Sequence, residues 1–324
     1  MKTIVKTAAL VAGLTLAAGL AGEASAQGRN MSIVTGGTGG VYYPLGGGLA
    51  NLLNKHVPGW QATVEVTAGS VANLQLIGSK KAEIAFTMAD AALDAQDGKD
   101  KFTGNKVPQK LLAVLYPNHM HVVTVEGSGI TKMSDLKGKR VSTGAPLSAT
   151  EVMAFRVIEA AGLDKDKDMR RERLSVAEST NAVKDKKIDA YFWVGGLPTA
   201  GVTDLAATPG TKIVLVDHDE VVGPMNKKYG ELYAPAFIPA KTYPGQDKDN
   251  KNATVWNLLV VHESTPDDVA YNIVKTIFEH TAEWAQVHAE ARNVKPENQK
   301  QMNSPIKWHP GAAKYFNEKK INIM

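Results

Sequence analysis

Cysteine is missing from the 324-residue sequence, and aromatic residues make up only 6% of it. Without cysteine the chain can form no disulfide, no thiolate zinc site and no cysteine nucleophile, so its stability must come from a buried core. The formal net charge of +4 is small and spread along the chain, which argues against a nucleic-acid-binding surface. With 44% hydrophobic and 22% charged residues, the composition indicates a globular protein of one or two domains.

Long apolar runs are also missing, apart from one at the N-terminus. Two lysines in the first six residues precede the apolar residues 8–21, and residues 24–26 read Ala-Ser-Ala. This pattern predicts a signal peptide over residues 1–26, cleaved after Ala26, and therefore a periplasmic mature protein. The alternative is a transmembrane anchor, which needs about 20 apolar residues, more than this run contains.

Motifs of the common enzyme classes are absent as well. The sequence has no G-x-S-x-G, no H-E-x-x-H and no Walker G-x-x-x-x-G-K-[ST] pattern. His119 and His121 could share one face of a strand, but no further ligands stand near them at metal-binding spacing. His280 and His288 fall two turns apart on a predicted helix, where we expect partial solvation. We therefore expect no enzyme activity, no cofactor and no metal, and keep a periplasmic hydrolase or a metal-binding protein as the less favoured alternative.

The most distinctive segment is the glycine-rich stretch TGGTGGVYYPLGGG, residues 35–48. A dinucleotide fingerprint starting at Gly37 would need its third glycine where the sequence has Tyr42, so the pattern does not fit a nucleotide site. The stretch instead predicts exposed backbone N–H groups at a helix start, which attract anions, beside two tyrosines that suit a small organic ligand. The other interpretation is a tight turn between a strand and a helix, with the tyrosines in the core.

Short β-like runs alternate with helical stretches along most of the chain, which predicts an α/β fold with mainly parallel sheets. A strand, a glycine-containing loop and a helix occur first at residues 31–56. The same arrangement recurs at residues 140–161, where the loop reads GAPLSAT. We interpret the two occurrences as two lobes, each offering a loop and a helix N-terminus.

Two further expectations concern particular elements. Pro117 is expected to divide residues 111–125 into two separate runs. Residues 266–290 are expected to form one long helix, whose apolar residues recur at helical spacing and should be buried: Val269, Ile273, Ile277, Trp284 and Val287.

The order of these motifs resembles the TAXI family of TRAP-transporter solute-binding proteins. The matching stretches span essentially the whole mature chain and read TGGTGGVYYPLGGGLA, TAGSVANLQLIGSKKAEIAF, DLKGKRVSTGAP, KDKKIDAYFWVGGLPTAGVTDLA, IPAKTYPG and HPGAAKYFNEK. The resemblance implies the type II periplasmic-binding-protein fold, in which two lobes, each a mainly parallel sheet flanked by helices, enclose a ligand cleft. We expect residues 27–117 and 253–324 in the first lobe and residues 118–252 in the second.

The resemblance also implies a function. It indicates an exported, monomeric solute-binding protein that captures a small organic anion, a carboxylate or an amino acid, by hinge closure. The partner would be a TRAP-type membrane permease driven by an ion gradient. The binding subunit of an ABC importer, for a sulfonate or a thiamine precursor, would share the fold and is the alternative.

Ligand-binding residues are expected from both lobes. The candidates are Thr38, Gly39, Tyr42, Ser70, Asn73, Thr87 and Met88 in the first lobe, and Ser148, Thr150, Trp193 and Gly195 in the second. Ser70 could instead only cap its helix, and Trp193 could belong to the core.

Four positions depart from the family pattern. Met88 and Ala89 stand where the family commonly has Gln and Ser, and Leu147 and Ala149 replace two glycines. The lost glycines restrict backbone conformations with positive φ. We expect a ligand that is a less polar carboxylate than glutamate.

Overall fold

The computed structural model describes residues 28–324, and the predicted signal peptide lies outside them. The strands in this part of the chain are β1 (Arg29–Val34), β2 (Trp60–Glu65), β3 (Ile84–Met88), β4 (Gln109–Val125), β5 (Arg140–Ser142), β6 (Arg170–Glu172), β7 (Ala190–Gly195), β8 (Ile213–Leu215), β9 (Ala234–Ile238) and β10 (Asn250–His262). The α-helices are α1 (Tyr42–His56), α2 (Ser70–Gly78), α3 (Ala89–Asp97), α4 (Ala149–Ala160), α5 (Val176–Lys184), α6 (Ala200–Ala206), α7 (Val222–Tyr229), α8 (Asp267–Glu279), α9 (Thr281–Trp284) and α10 (Pro310–Glu318). None of the helices in residues 28–324 combines the length and the apolar character needed to cross a bilayer.

The strands pair in the order β2-β1-β3-β10-β4-β7-β5-β6, with β9 added to β10 and β8 added to β4. In the first lobe β1 pairs in parallel with β2 and β3, and in the second lobe β5 pairs in parallel with β6 and β7. The long strands β4 and β10 are antiparallel to each other and contribute to both lobes. This is the two-lobed α/β architecture of the type II periplasmic-binding-protein fold, as the sequence predicted.

The prediction that Pro117 separates two strands is wrong, because β4 runs through it as one strand of 17 residues. Pro117 stands opposite Trp256, and the register of the β4–β10 ladder shifts between Trp256 and Leu258. Proline has no N–H to donate, so it is tolerated where a ladder is irregular. We propose this register shift as the hinge, because it lies between the part of the ladder that pairs within the first lobe and the part that pairs within the second.

The C-terminal helix is shorter than predicted. α8 ends at Glu279, and His280 has a non-helical backbone (φ −126°) before α9 begins. Four of the five predicted core residues are buried, but Val287 is 47% exposed. The prediction for Val287 is wrong because α9 ends at Trp284, so Val287 lies beyond the helices.

The loops that follow the parallel strands of the two lobes meet each other. In an open α/β sheet, ligands bind in the crevice outside the carboxyl ends of the strands. The cavity described next lies at this place, between the loops after β1, β2 and β3 and those after β5, β6 and β7.

Candidate ligand-binding cavity

A cavity of about 340 Å³ lies between the two lobes. The first lobe lines it with residues 36–42 and 66–70 and with Met88. The second lobe contributes residues 144–145, 148–150, 174–178 and 193–195. Strand β4 adds Tyr116 and Asn118 from the crossing region. The volume suits a small organic molecule.

Five helices begin at the wall of this cavity. α1, α2, α4 and α5 each place their first residue in the wall, and α3 places its N-cap residue Met88 there. The first N–H groups of a helix have no partner within the helix, and the helix dipole adds positive potential at this end. Within residues 28–324, the wall contains no lysine or arginine, and Glu178 is its one carboxylic acid. The cavity therefore attracts an anion through backbone groups rather than through a basic side chain.

Glu178 already occupies one of these helix ends. Its carboxylate accepts a hydrogen bond from the Ser175 N–H at 2.8 Å, while Ser175 Oγ accepts from the Glu178 N–H at 3.3 Å, which forms a capping box at α5. The bonds from Ser175 lower the pKa of Glu178 below its ordinary value. This carboxylate stays ionised at neutral pH, so α5 is the helix end least available to an anionic ligand.

A group of polar side chains forms one end of the cavity. The hydroxyl of Tyr42 donates to Oδ1 of Asn257, which also accepts from Nδ2 of Asn118 at 2.7 Å. Oδ1 of Asn118 and the hydroxyl of Tyr116 have no hydrogen-bond partner in the described chain, although both residues are at least 98% buried. Buried polar atoms are nearly always paired, so these two are candidates to contact a ligand.

Tyr42 and Tyr116 both carry neutral hydroxyls at physiological pH. Tyr42 is only partly exposed as a residue, and its hydroxyl lies deep. Burial raises the pKa of both tyrosines well above the ordinary value. Because the proton of Tyr42 is committed to Asn257, its oxygen remains free to accept a hydrogen bond.

Nine of the eleven residues predicted from the sequence lie in the cavity wall, and two do not. The nine are Thr38, Gly39, Tyr42, Ser70, Met88, Ser148, Thr150, Trp193 and Gly195. Asn73 is buried beneath the wall, where its Nδ2 donates to the carbonyls of Thr35 (2.6 Å) and Phe86 (2.8 Å) and so ties β1 to β3. The hydroxyl of Thr87 donates to the carbonyl of Met88 at 3.3 Å.

The alternative in which Ser70 only caps its helix is wrong. The N-cap of α2 is Gly69, whose φ of 120° favours glycine, and Ser70 is the first helical residue. The Ser70 hydroxyl accepts from the N–H of Met88 at 3.1 Å, which links α2 to the end of β3.

The hydroxyls of Ser148 and Thr150 differ in what they can offer. Ser148 caps α4, because its Oγ accepts from the N–H of Glu151 at 3.1 Å and donates to the carbonyl of Ala145 at 2.6 Å. Its proton is therefore committed within the loop. Thr150 is 4% exposed and lines the wall, and its hydroxyl has no hydrogen-bond partner among residues 28–324. Of the two, Thr150 is the better placed to donate to a ligand.

Trp193 is held rigidly in the wall by a chain of hydrogen bonds. Its indole N–H donates to Oγ1 of Thr199 at 2.9 Å, and the N–H of Thr199 donates to the hydroxyl of Tyr243 at 3.1 Å. The Tyr243 hydroxyl lies 2.8 Å from Nε2 of His121. A Cβ on Gly40 would lie 2.9 Å from the Trp193 ring, so only glycine lets the first-lobe loop approach it this closely.

The histidines flanking Met120 belong to this buried framework rather than to a metal site. Nδ1 of His121 lies 2.9 Å from the carbonyl of His119, and Nδ1 of His119 lies 3.1 Å from Oδ1 of Asn252. Burial lowers the pKa of His119 to about 4 and that of His121 to about 3. Both rings are neutral at physiological pH.

The two lobes touch each other around the cavity. The N–H of Ala72 in the first lobe donates to the carbonyl of Leu147 in the second at 3.1 Å, and the N–H of Gly201 donates to the carbonyl of Gly39 at 3.1 Å. Leu147 has a positive φ of 63° although it is not glycine. The loop therefore adopts this geometry at a steric cost to its backbone.

A buried ionic cluster also joins the lobes. Arg156 of α4 contacts Asp94 of α3, lies 3.6 Å from Asp90 and donates to the hydroxyl of Tyr233 at 2.8 Å. The Tyr233 hydroxyl in turn donates to Asp90 at 2.9 Å. Burial raises the pKa of Asp94 to about 6 and also raises that of Asp90, while Arg156 opposes both shifts. Burial alone would lower the pKa of Arg156. The attraction of Tyr233 and the two carboxylates is larger, so the pKa of the arginine lies above its ordinary value.

Solved structures share this architecture at low sequence identity. A protein from Bordetella bronchiseptica RB50 is 18% identical, with 89% of each chain covered and a TM-score of 0.51. The periplasmic aliphatic sulphonate binding protein SsuA from Escherichia coli is 15% identical, with 89% of this chain and 83% of that chain covered and a TM-score of 0.48. The substrate binding protein of an amino acid ABC transporter is 12% identical, with 80% of this chain and 96% of that chain covered and a TM-score of 0.48.

A family model covers nearly all of the described chain. The NMT1-like family matches over residues 33–319, which include both lobes and all the loops that line the cavity. The chain belongs to the NMT1-like family.

Proposed function

We propose that this protein is an exported solute-binding protein that captures a small organic anion between its two lobes and delivers it to a membrane transporter. The observation that carries the proposal is the interlobe cavity, onto which five helices direct their N-termini without any basic side chain in the wall. Helix N-termini bind carboxylate, sulfonate and phosphate groups through the same N–H donors and dipoles. The function involves no chemical step.

In the proposed complex, the anionic group of the ligand lies beside the N-termini of α2 and α4, which adjoin each other in the cavity wall. The backbone at Gly69 packs against Ser148, and the N–H of Ala72 donates to the carbonyl of Leu147 at 3.1 Å. Thr150 donates its hydroxyl to the same group. Tyr116, Asn118 and Tyr42 bind the other end of the ligand, and Trp193 covers its apolar part. Thr38, Gly39, Ser70, Met88 and Gly195 complete the contacts.

Capture follows from the fact that the donors belong to different lobes. A ligand that bridges α2 and α4 has more contacts when the lobes are closed than when they are open, so it shifts the population towards the closed form. Hinge motion at the register shift near Pro117 and Trp256 would open the cavity. The closed form is the state that docks on the transporter.

The proposal also concerns the class of transporter that receives the ligand, which is a TRAP permease or an ABC importer. Delivery to a TRAP permease rests on the motif resemblance of the sequence. Two of the neighbours are named as an aliphatic sulphonate binding protein and as the substrate binding protein of an amino acid ABC transporter, and ABC import is the class of the alternative. Uptake of the identified ligand distinguishes the two: TRAP delivery stops when the ion gradient is collapsed with ATP still present, and ABC delivery stops when ATP is depleted with the gradient intact.

A thermal-shift screen of the mature chain, residues 27–324, against carboxylates, sulfonates and amino acids tests the binding function. A ligand at one hundred times its dissociation constant should stabilise the protein by about 2.7 kcal/mol. A cavity ligand should also change the fluorescence of Trp193, so Trp193→Phe should remove that signal. Trp308→Phe, outside the cavity wall, serves as the matched control and should retain it.

The thermal-shift and fluorescence results together distinguish an anion site in the cavity from other kinds of binding. An anionic ligand that stabilises the wild type and loses its fluorescence signal in Trp193→Phe supports the proposal. Stabilisation only by cationic or neutral compounds would contradict an anion site. A ligand whose signal survives in Trp193→Phe and disappears in Trp308→Phe binds elsewhere.

A further inference from the structure

Three side chains with metal-binding groups come together away from the cavity, in the first lobe. The rings of His56 and His280 are stacked with their centroids 3.5 Å apart and their planes within 9°. Nε2 of His56 lies 3.0 Å from Oε2 of Glu283. One nitrogen or oxygen from each residue lies within 4.8 Å of the other two. The sequence does not show this cluster, because His56 lies more than 220 residues from Glu283.

The three residues lie at or near the ends of helices. His56 is the last residue of α1, His280 separates α8 from α9, and Glu283 lies in α9. The break between α8 and α9, which the periodicity of the sequence did not predict, turns His280 and Glu283 towards α1. All three residues are partly exposed, so an ion from solution can reach them.

The groups are also available for an ion. The ring of His280 makes no hydrogen bond within residues 28–324. Glu283 uses its other oxygen to bind Nζ of Lys55 at 2.8 Å, which fixes the carboxylate and leaves Oε2 directed at His56. An outer partner that orients a ligating carboxylate is a common feature of metal sites.

We propose that His56, His280 and Glu283 form a binding site for Zn²⁺. Two imidazole nitrogens and one carboxylate oxygen are a ligand set that Zn²⁺ accepts, with water in the fourth position. Ca²⁺ and Mg²⁺ prefer sites made only of oxygen, so they should not compete. A metal lies in the plane of each ring that ligates it, so binding draws the two imidazoles out of their parallel stack.

The site is separate from the ligand-binding function. None of the three residues lines the cavity, and all belong to the first lobe. A bound ion would connect α1 to the α8–α9 corner. It should therefore raise the resistance of the first lobe to unfolding and leave the affinity for the cavity ligand unchanged.

Zinc titration of the untagged mature protein, with a chromogenic chelator as competitor, tests this site. The wild type should bind one Zn²⁺ per chain with saturable affinity. His280→Ala should weaken binding by at least about tenfold. Glu283→Gln, which keeps the size of the side chain, should also weaken it.

His262→Ala is the matched control. His262 is a partly exposed histidine of the same lobe that bonds to Ser264 and lies outside the cluster, so its removal should leave zinc affinity unchanged. Circular dichroism of the metal-free variants establishes that each is folded.

Two results would overturn the site. One is the absence of saturable zinc binding by the folded wild type. The other is an affinity that is insensitive to both His280→Ala and Glu283→Gln. A zinc-dependent change in affinity for a cavity ligand would also contradict it, because the ion would then lie at the cavity. Failure of the zinc site leaves the thermal-shift test of the binding function untouched.

Discussion

Replacing Arg156 by methionine should destabilise the protein strongly, because this arginine neutralises two carboxylates in the interior. Its side chain is only 6% exposed, and those of Asp90 and Asp94 are 0% and 13% exposed. Removing one partner of a buried ion pair typically costs about 3–5 kcal/mol, since the remaining charge has neither water nor a counterion. We expect a loss of this size in the free energy of unfolding at pH 7.5.

The pH dependence provides a second, independent prediction. Burial already raises the pKa of Asp94 to about 6 in the presence of Arg156, and without the arginine the pKa of both carboxyls must rise further. A carboxyl whose pKa is raised by folding binds more protons in the folded chain than in the unfolded chain, so acidification stabilises the folded state. The deficit of Arg156→Met relative to wild type should therefore be largest above pH 7 and shrink as the pH falls towards 5.

Urea unfolding of both proteins at pH 7.5, 6.0 and 5.0 measures these differences. Arg140→Met is the matched control, because Arg140 pairs with Asp189 within one lobe, where the side chains are 40% and 25% exposed. An exposed pair of this kind contributes about 0.2–1 kcal/mol. The triple variant with Asp90→Asn and Asp94→Asn should recover most of the loss, since it leaves no buried charge.

The reasoning about Arg156 fails if its replacement costs no more than that of Arg140. It also fails if the deficit grows as the pH falls.

Three further substitutions test other parts of the structure. Leu147→Gly should raise the free energy of unfolding by up to about 1 kcal/mol, because the cost of a left-handed φ exceeds the entropic cost of glycine. Ala145→Gly is the control and should lower the free energy of unfolding, because φ is not positive there. A loss of stability in Leu147→Gly and a gain in Ala145→Gly would contradict backbone strain at Leu147. The pKa of His121, about 3, lies below its usual value, so His121 contributes stability above about pH 6.5 that is lost as the pH falls towards 3. About 2 kcal/mol of this stability should be lost between pH 7 and pH 5. His121→Gln should flatten the pH profile by that amount, and an unchanged slope would refute the assignment. Tyr42→Phe removes the hydroxyl proposed to contact the ligand and should weaken the identified ligand about 2- to 12-fold; unchanged affinity would remove the hydroxyl from the site. Loss of its bond to Asn257 should also lower the free energy of unfolding by about 0.5–1.5 kcal/mol.

The sequence predicted the fold, and nine of its eleven candidate residues lie in the cavity wall, because the responsible signals are local. The glycine stretch before α1 and the GAPLSAT loop before α4 each combine a strand end with a helix start, and parallel strands bring such loops to one edge. The order of motifs along the chain then implied how the two halves enclose a cleft.

The features that the sequence did not predict depend on distant parts of the chain. Tyr116 and Asn118 flank a proline in an apolar strand, and only the pairing with β10 shows that β4 continues through Pro117 into the cavity. The polar Asn118, directly after Pro117, was the available signal. Asn73 lies at the start of α2, as a ligand contact would, but its side chain reaches inward to two strand carbonyls.

Helix ends were the least predictable elements. Nothing in the periodicity of residues 266–290 marks His280 as a break, because the apolar residues continue at helical spacing to Trp284. The break becomes visible only in the tertiary structure, where the turn lets Trp284 donate its indole N–H to the carbonyl of Leu45 at 2.8 Å.

The shared strands also determine how this chain must acquire its structure. The first lobe needs β10 between β3 and β4, yet β10 is contributed by residues 250–262, after the whole second lobe has been synthesised. A nascent chain that stops before residue 250 therefore leaves the edges of β3 and β4 unpaired, and open strand edges promote aggregation. Neither lobe can be produced by cutting the sequence once. Completion of the fold depends on contacts between distant segments, which makes folding slow in comparison with a chain of local contacts.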